Sequence, residues 1–162
     1  MELTRDDGVI LTDDASRLNF EAIFQWLSVE SYWAAGRAAE TIRRSLENSR
    51  CYGVYTPSGE QIALARVVTD SATFAWICDV YVDAAHRGEG IGNWLMRSVV
   101  DDLTALGLNR ILLATADAHE VYRRVGFESL TGADRYMEID NRPNKAVLMG
   151  MAARSSQANN PV

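Results

Sequence analysis

Cysteine is scarce in this chain: Cys51 and Cys78 are the whole supply, they fall in separate predicted strands, and they form no metal-ligand spacing. No metal site is expected, and a reduced, cytoplasmic setting is the default. Long apolar runs are missing too. None approaches the ~20 residues needed to cross a bilayer, so no membrane partner is expected. The opening stretch, Met1-Glu2-Leu3-Thr4-Arg5-Asp6-Asp7, carries neither the basic start nor the apolar segment of a secretory leader. Positive charge is in deficit, with 16 Lys and Arg against 22 Asp and Glu and a net charge of −6. That argues against nucleic acid as a partner, because phosphate binding wants clustered Lys and Arg. Internal repeats and low-complexity linkers are absent. A single domain over residues 1–154 with a flexible tail at 155–162 is therefore expected.

What is present is an ordinary globular composition, 48% hydrophobic and 23% charged over 162 residues. It is enough for one domain that buries roughly two-thirds of its unfolded surface. Gly8 to Thr12 reads as a short strand. Phe20, Ile23, Phe24 and Leu27 recur at helical spacing, with Trp26 on a flanking face. Residues 28–37 break that rhythm, and a second helix is predicted over 38–48. Three strands follow, over 51–55, 61–69 and 74–82, the first pair joined by the turn-forming Thr56-Pro57-Ser58-Gly59. A long helix from about Gly90 to Leu106 shows one broad apolar face, and Gly107 stops it. A buried-type strand over 110–115, a short helix over 118–125 and weaker strands near Arg135–Ile139 and Ala146–Met151 complete the order. The pattern predicts an α/β protein with a mixed sheet covered on both faces.

The most informative segment is Val80-Tyr81-Val82-Asp83-Ala84-Ala85-His86-Arg87-Gly88-Glu89-Gly90-Ile91-Gly92-Asn93. A strand ends, glycines follow, and a helix begins. Glycine lets backbone approach a ligand closely, and a helix N-terminus offers unpaired N–H groups at the positive end of its dipole. Together these suit a pyrophosphate; a plain tight turn into a helix has the same spacing. The Rossmann fingerprint fails, because its third glycine would fall on Asn93 or Leu95, and the Walker pattern lacks Gly-Lys-Ser/Thr.

Arg87-Gly88-Glu89-Gly90-Ile91-Gly92 resembles the Arg/Gln-x-x-Gly-x-Gly/Ala signature of the GNAT acetyltransferases, and it stands after the strand Asp79-Val80-Tyr81-Val82-Asp83. Ala118-His119-Glu120-Val121-Tyr122-Arg123-Arg124-Val125-Gly126-Phe127 is similar to that family's Ala-x-x-x-Tyr-x-x-x-Gly-Phe segment. The element order agrees from about residue 8 to 151. The resemblance implies the GNAT fold, a mixed twisted sheet with helices on both faces, and acetyl-CoA as co-substrate. It implies that the backbone of Val80, Tyr81 and Val82 meets the pantetheine arm and that Arg87, Gly88, Glu89, Gly90, Ile91, Gly92 and Asn93 hold the pyrophosphate. Thr115 stands where the family commonly has Asn, so it or Asp117 would take over that coenzyme contact. Tyr122 corresponds to the tyrosine that protonates the departing thiolate; a packed surface tyrosine is the bland alternative.

The base is less plainly marked. The positions where relatives place a glutamate hold Trp76 and Arg110 here. Asp79 remains, a carboxylate among apolar strand residues, which costs free energy unless paired or functional. It resembles the acid of some polyamine-acetylating relatives. It is expected either to take or hold the acceptor's proton, or to be salt-bridged to Arg66 or Arg37. Cys78 reads as inert packing. The first two helices and their connection offer Trp26, Tyr32, Trp33 and Arg37 to an acceptor, Arg66 is a further acceptor-binding candidate, and His119 adds a pocket-lining one. Aromatics suit a cation, whereas an arginine suits a carboxylate. The expected function is N-acetylation of a small amine-bearing acceptor by direct attack in a ternary complex, in a monomer or homodimer. The alternatives are acetylation of a protein N-terminus or lysine, and a coenzyme A-binding module without catalysis.

Overall fold

The computed structural model describes residues 1–141. They fall into two compact units, Met1–Ala114 and a second that begins at Thr115. The strand expected near Ala146–Met151 and the tail at 155–162 lie outside the described residues.

The first unit is built on a six-stranded sheet in sequence order: β1 (Glu2–Thr4), β2 (Ile10–Thr12), β3 (Arg50–Tyr55), β4 (Gln61–Thr69), β5 (Phe74–Val82) and β6 (Arg110–Leu113). Neighbours from β1 to β5 are antiparallel, and β5 with β6 is parallel. The mixed sheet agrees with the expected α/β class. β1 has no counterpart in the sequence reading: all three of its residues are exposed, so no buried alternation marked it. The predicted first strand shortens to Ile10–Thr12.

One face of the sheet is covered by α1 (Phe20–Phe24), its continuation Gln25–Glu30, and α2 (Ala39–Glu47). Asn19 caps α1 by accepting from the Ala22 N–H. After Phe24 the helix widens into a π turn, closed by the Ser31 N–H on the Trp26 carbonyl at 2.8 Å. Two expectations are corrected. Helical structure continues in π form to Glu30 instead of ending before Ser28, and Trp26 is 3% exposed, on the i, i+3, i+4 face with Ile23 and Leu27, instead of lying on a flanking face. Ile23, Trp26, Leu27, Ile42, Cys51, Leu64 and Tyr81 form the core on this side. On the other, α3 (Ile91–Ala105) buries Ile91, Leu95, Met96, Val99 and Leu103 against β3, β4 and β5.

The register of β4 with β5 slips once. Leu64 pairs with Tyr81, but Arg66 pairs with Cys78, so Asp79 and Val80 together oppose Ala65. This is a β-bulge, and Asp79 occupies it with φ +49°. Asp and Asn tolerate that left-handed region better than most residues. The bulge is the local irregularity on which the site is built.

The second unit holds α4 (His119–Arg123) and a 3₁₀ turn, Ala133–Arg135, entered through Gly132. The strand expected near Arg135–Ile139 is not formed. Met137 and Ile139 are 98% and 92% exposed, and no described strand pairs with this segment to satisfy its backbone.

Candidate active site

At the C-terminal end of β5, Asp83 accepts from the Ala85 N–H at 2.9 Å and starts a short 3₁₀ turn, Ala84–His86. The Arg87 Nε donates back to the Val82 carbonyl at 3.1 Å. Gly88 and Gly90 then take φ +84° and +76°, which L side chains rarely adopt, and a Cβ at either would meet nothing within 4 Å. The turn is therefore glycine-rich for its backbone shape and for the open space beside it, not for tight packing within the protein. Gly90 caps α3 without any side chain hydrogen-bonded over the helix end. Gly92 sits 3.5 Å from the Val82 side chain at its Cβ position, which holds α3 close to β5. The Asn93 Oδ1 is buried without a partner. A backbone cradle at a helix N-terminus fits the pyrophosphate of acetyl-CoA without a cationic patch.

Arg5, which the sequence did not single out, reinforces this turn. Its Nη1 donates to the Glu89 carbonyl at 3.1 Å, and its guanidinium lies 5.7 Å from the Trp94 ring centroid. Only a contact across 84 residues reveals it.

Around the bulge, Asp79 is the hub of an ion-pair cluster. Its Oδ2 accepts from the Arg37 Nη1 at 2.9 Å and from the Arg66 Nε at 2.8 Å. The carboxylate side chain is 2% exposed, whereas Arg37 and Arg66 keep 25% and 13%. Arg66 also donates to the Ser49 Oγ at 2.9 Å. Burial pushes the Asp79 carboxyl up, but the Arg37 guanidinium and then that of Arg66 outweigh it and hold it below the ordinary range. A carboxylate kept ionised by two cations is a poor proton acceptor. The expectation of Asp79 as general base does not suit this geometry, while the alternative of pairing to Arg66 or Arg37 is realised with both at once. Cys51, Arg66 and Cys78 lie side by side across β3, β4 and β5. Burial pushes both thiols up to about 11, so they are neutral packing groups here.

Nearer the glycine turn, Trp26 stacks on Tyr81 with centroids 5.4 Å apart and donates from Nε1 to the Asp83 carboxylate at 3.1 Å. With its ring buried and its N–H committed, Trp26 braces the end of β5 and does not present itself to an acceptor. The Tyr81 hydroxyl donates to Glu30, and burial, with Glu30 second, pushes that phenol up to about 12. Glu30 was passed over in sequence because it sits in an unpatterned stretch. Arg87 lies 5.3 Å from the Tyr81 centroid. Tyr32 and Trp33 meet edge to face at 5.1 Å, and the Trp33 Nε1 is buried with no partner.

In the second unit, Thr115 Oγ1 accepts from the Ala118 N–H at 3.0 Å and shapes the entry to α4. His119 is the first residue of that helix. Tyr122 packs edge to face on Phe127, centroids 6.0 Å apart, and its carbonyl accepts from the Phe127 N–H at 3.1 Å. The tyrosine and the Gly-Phe pair of the sequence motif are thus one local assembly.

Among the described residues, no group of three or more His, Cys, Asp and Glu could hold a metal ion, and no helix is long and apolar enough to cross a membrane.

Comparison with known proteins gives a consistent pattern. The model of the Acetyltransferase (GNAT) family matches residues 20–127. A Gibberella zeae protein provisionally assigned as an acetyltransferase is 29% identical, over 90% of each chain. A crystal structure from Xanthomonas campestris pv. campestris, provisionally assigned to the same family, is 37% identical with a TM-score of 0.77, covering 82% of this chain and 92% of that one. A histone acetyltransferase of Glycine max is 36% identical over a shorter stretch, 42% of this chain and 30% of its own.

Proposed function

Because the chain belongs to the GNAT acetyltransferases, we propose that it moves the acetyl group of acetyl-CoA to a small amine-bearing acceptor by direct attack in a ternary complex. The observation that carries this reading is the open cradle at Gly88 and Gly90, left-handed in backbone and empty of protein where a Cβ would lie, ahead of an uncapped α3. That cradle is assigned to the pyrophosphate, and the bulged backbone of Val80, Tyr81 and Val82 to the pantetheine arm. The family match crosses from the first compact unit into the second, which supports treating both as one acetyltransferase domain.

Acetyl-CoA supplies an activated acyl carbon. The acceptor nitrogen forms the new bond to that carbon, the carbon–sulfur bond breaks, the amine loses one proton and the thiolate gains one. Val80 is assigned the N–H that steadies the oxyanion, because the bulge gives β5 one more peptide unit than β4 can pair. Tyr122 is assigned the proton given to sulfur; a phenol of pKa ~10 can serve a thiolate whose conjugate acid lies near ~8.5. Asp79 is reassigned from base to positioning residue, fixing Arg37 and Arg66. The two unpaired thiols support a reducing compartment such as the cytoplasm.

The test joins calorimetric titration with acetyl-CoA to thiol release across a panel of amines, amino acids and lysine peptides. Binding with transfer to small amines is expected. Transfer confined to peptides would move the acceptor to protein, in line with the local likeness to the soybean enzyme. Tight binding with no transfer to any of them would leave a coenzyme A-binding module instead.

A further inference from the structure

The cluster at the bulge also says what else the acceptor carries. Resting on the assignment of Arg37 and Arg66 to the acceptor side, we propose that the acceptor is an acid as well as an amine: a carboxylate-bearing, amino-acid-like molecule with an apolar body.

Charge comes first. Two guanidiniums share one carboxylate oxygen, so the cluster holds one positive charge in excess. The carboxylate lies at its buried end, and the exposed fraction belongs to the arginines. The thiols beside Arg66 stay neutral and add no negative charge. What faces outward is cationic. Such a surface repels a polyamine and attracts an anion, and the planar fork of a guanidinium suits a carboxylate. Asp79 contributes by holding both arginines in place, which lowers the ordering cost of binding.

The neighbouring strand positions supply the rest. Side chains two apart along a strand share a face. On β4, Val68 follows Arg66; on β5, Trp76 and Phe74 precede Cys78. Val68 pairs with Trp76, and Trp76 with Leu112 of β6. Val68, Phe74 and Trp76 are exposed although they are large and apolar. One face of the sheet therefore runs from a cationic row into an apolar, aromatic row. An acid group on the arginines places a branched or aromatic body over Trp76.

Matched acceptor pairs that differ only in the carboxylate test this on the wild-type protein: phenylalanine against phenethylamine, leucine against isoamylamine, with spermidine as a polycation. Thiol release with acetyl-CoA should give the acid member a kcat/KM about tenfold to a hundredfold higher, carried by KM, with spermidine poorest. Arg37→Gln, checked for folding by circular dichroism, should shrink that preference about tenfold, and Arg37→Lys should restore part of it. A ratio within about twofold of unity, or one favouring the decarboxylated amine, overturns the acid requirement while leaving amine acetylation standing. Failure to acetylate either member of any pair overturns the acid requirement, and failure across the wider amine panel removes small-amine acetylation as well.

Discussion

The proposed donor side and the proposed acceptor side of this protein are built by opposite means. The glycine turn offers backbone N–H donors, with side chains absent at Gly88 and Gly90. The bulge offers charged side chains from three distant segments, Arg37, Arg66 and Asp79, brought to one oxygen. A backbone site depends on local conformation and on few residue types, so one scaffold can carry it unchanged. A side-chain site is set by each residue's identity and can be retuned singly. On the proposed assignment, invariance of chemistry falls at one end of β5 and choice of acceptor toward the other.

The strongest way to break this contrast is at the turn. Gly90→Asp adds a side chain where φ is +76° and a negative charge where the pyrophosphate is assigned. Acetyl-CoA binding should vanish in calorimetry, and equal affinity in a folded variant would remove the cradle. Next comes Tyr122→Phe, which keeps the ring on Phe127 and deletes the hydroxyl. Single-turnover chemistry should fall ~10²–10⁴-fold, with acetyl-CoA affinity changed only several-fold. A rate within about twofold of wild type would mean that another group protonates the sulfur.

Asp79→Ala sharpens the acceptor half. It leaves two guanidiniums without their counter-charge and should cost about 3–5 kcal/mol in denaturant unfolding. The folded carboxyl is held below its unfolded value. Its contribution is therefore complete above the ordinary aspartate pKa and is lost as pH falls through the lower, folded value. The variant should show a flatter decline over that acidic interval, and an unchanged decline would mean that the pairing is weak. In Asp79→Asn the pH–rate profile should run parallel to wild type, as a positioning role requires; recovery at high pH would return the base role to Asp79. The smallest effect is expected for Trp26→Phe, which loses the N–H to Asp83 and should cost about 1 kcal/mol with little change in turnover.

The glycine turn was legible in the sequence because everything it needs is contiguous: a strand end, glycines at set spacing, and a helix start. The packing of Tyr122 on Phe127 was legible for the same reason, since the two share a ten-residue segment. The ion-pair cluster at Asp79 was legible only as alternatives. Nothing local says whether Asp79 meets one arginine, two, or an amine. Arg5 and Glu30 were invisible because their partners, the Glu89 carbonyl and the Tyr81 hydroxyl, are 84 and 51 residues away. Trp26 was misplaced although Ile23, Trp26 and Leu27 stand at i, i+3 and i+4, the spacing of one buried helical face. The strand expected near Arg135–Ile139 failed for a different reason: apolar alternation describes a strand's faces but cannot supply the neighbour it needs.

Asp79 also changes the parity of β5. Before the bulge, Ala75 and Ile77 pair with Thr69 and Val67, on the α3 side of the sheet. Beyond it, Tyr81 pairs with Leu64 and meets Trp26 on the opposite side, while Val82 turns to Gly92 of α3. The odd-numbered residues are buried throughout, so a uniform rhythm of burial conceals a change of face. β5 is two half-strands in different frames, spliced at one residue. A one-residue deletion there would restore an unbroken ladder and put the two halves back in phase. Both halves would keep their present faces; it is a straightened strand with Asp79 retained that would take Tyr81 off Trp26 or exchange Trp76 and Phe74 with Ala75 and Ile77. The extra residue thus serves the carboxylate it brings to Arg37 and Arg66, not the ladder.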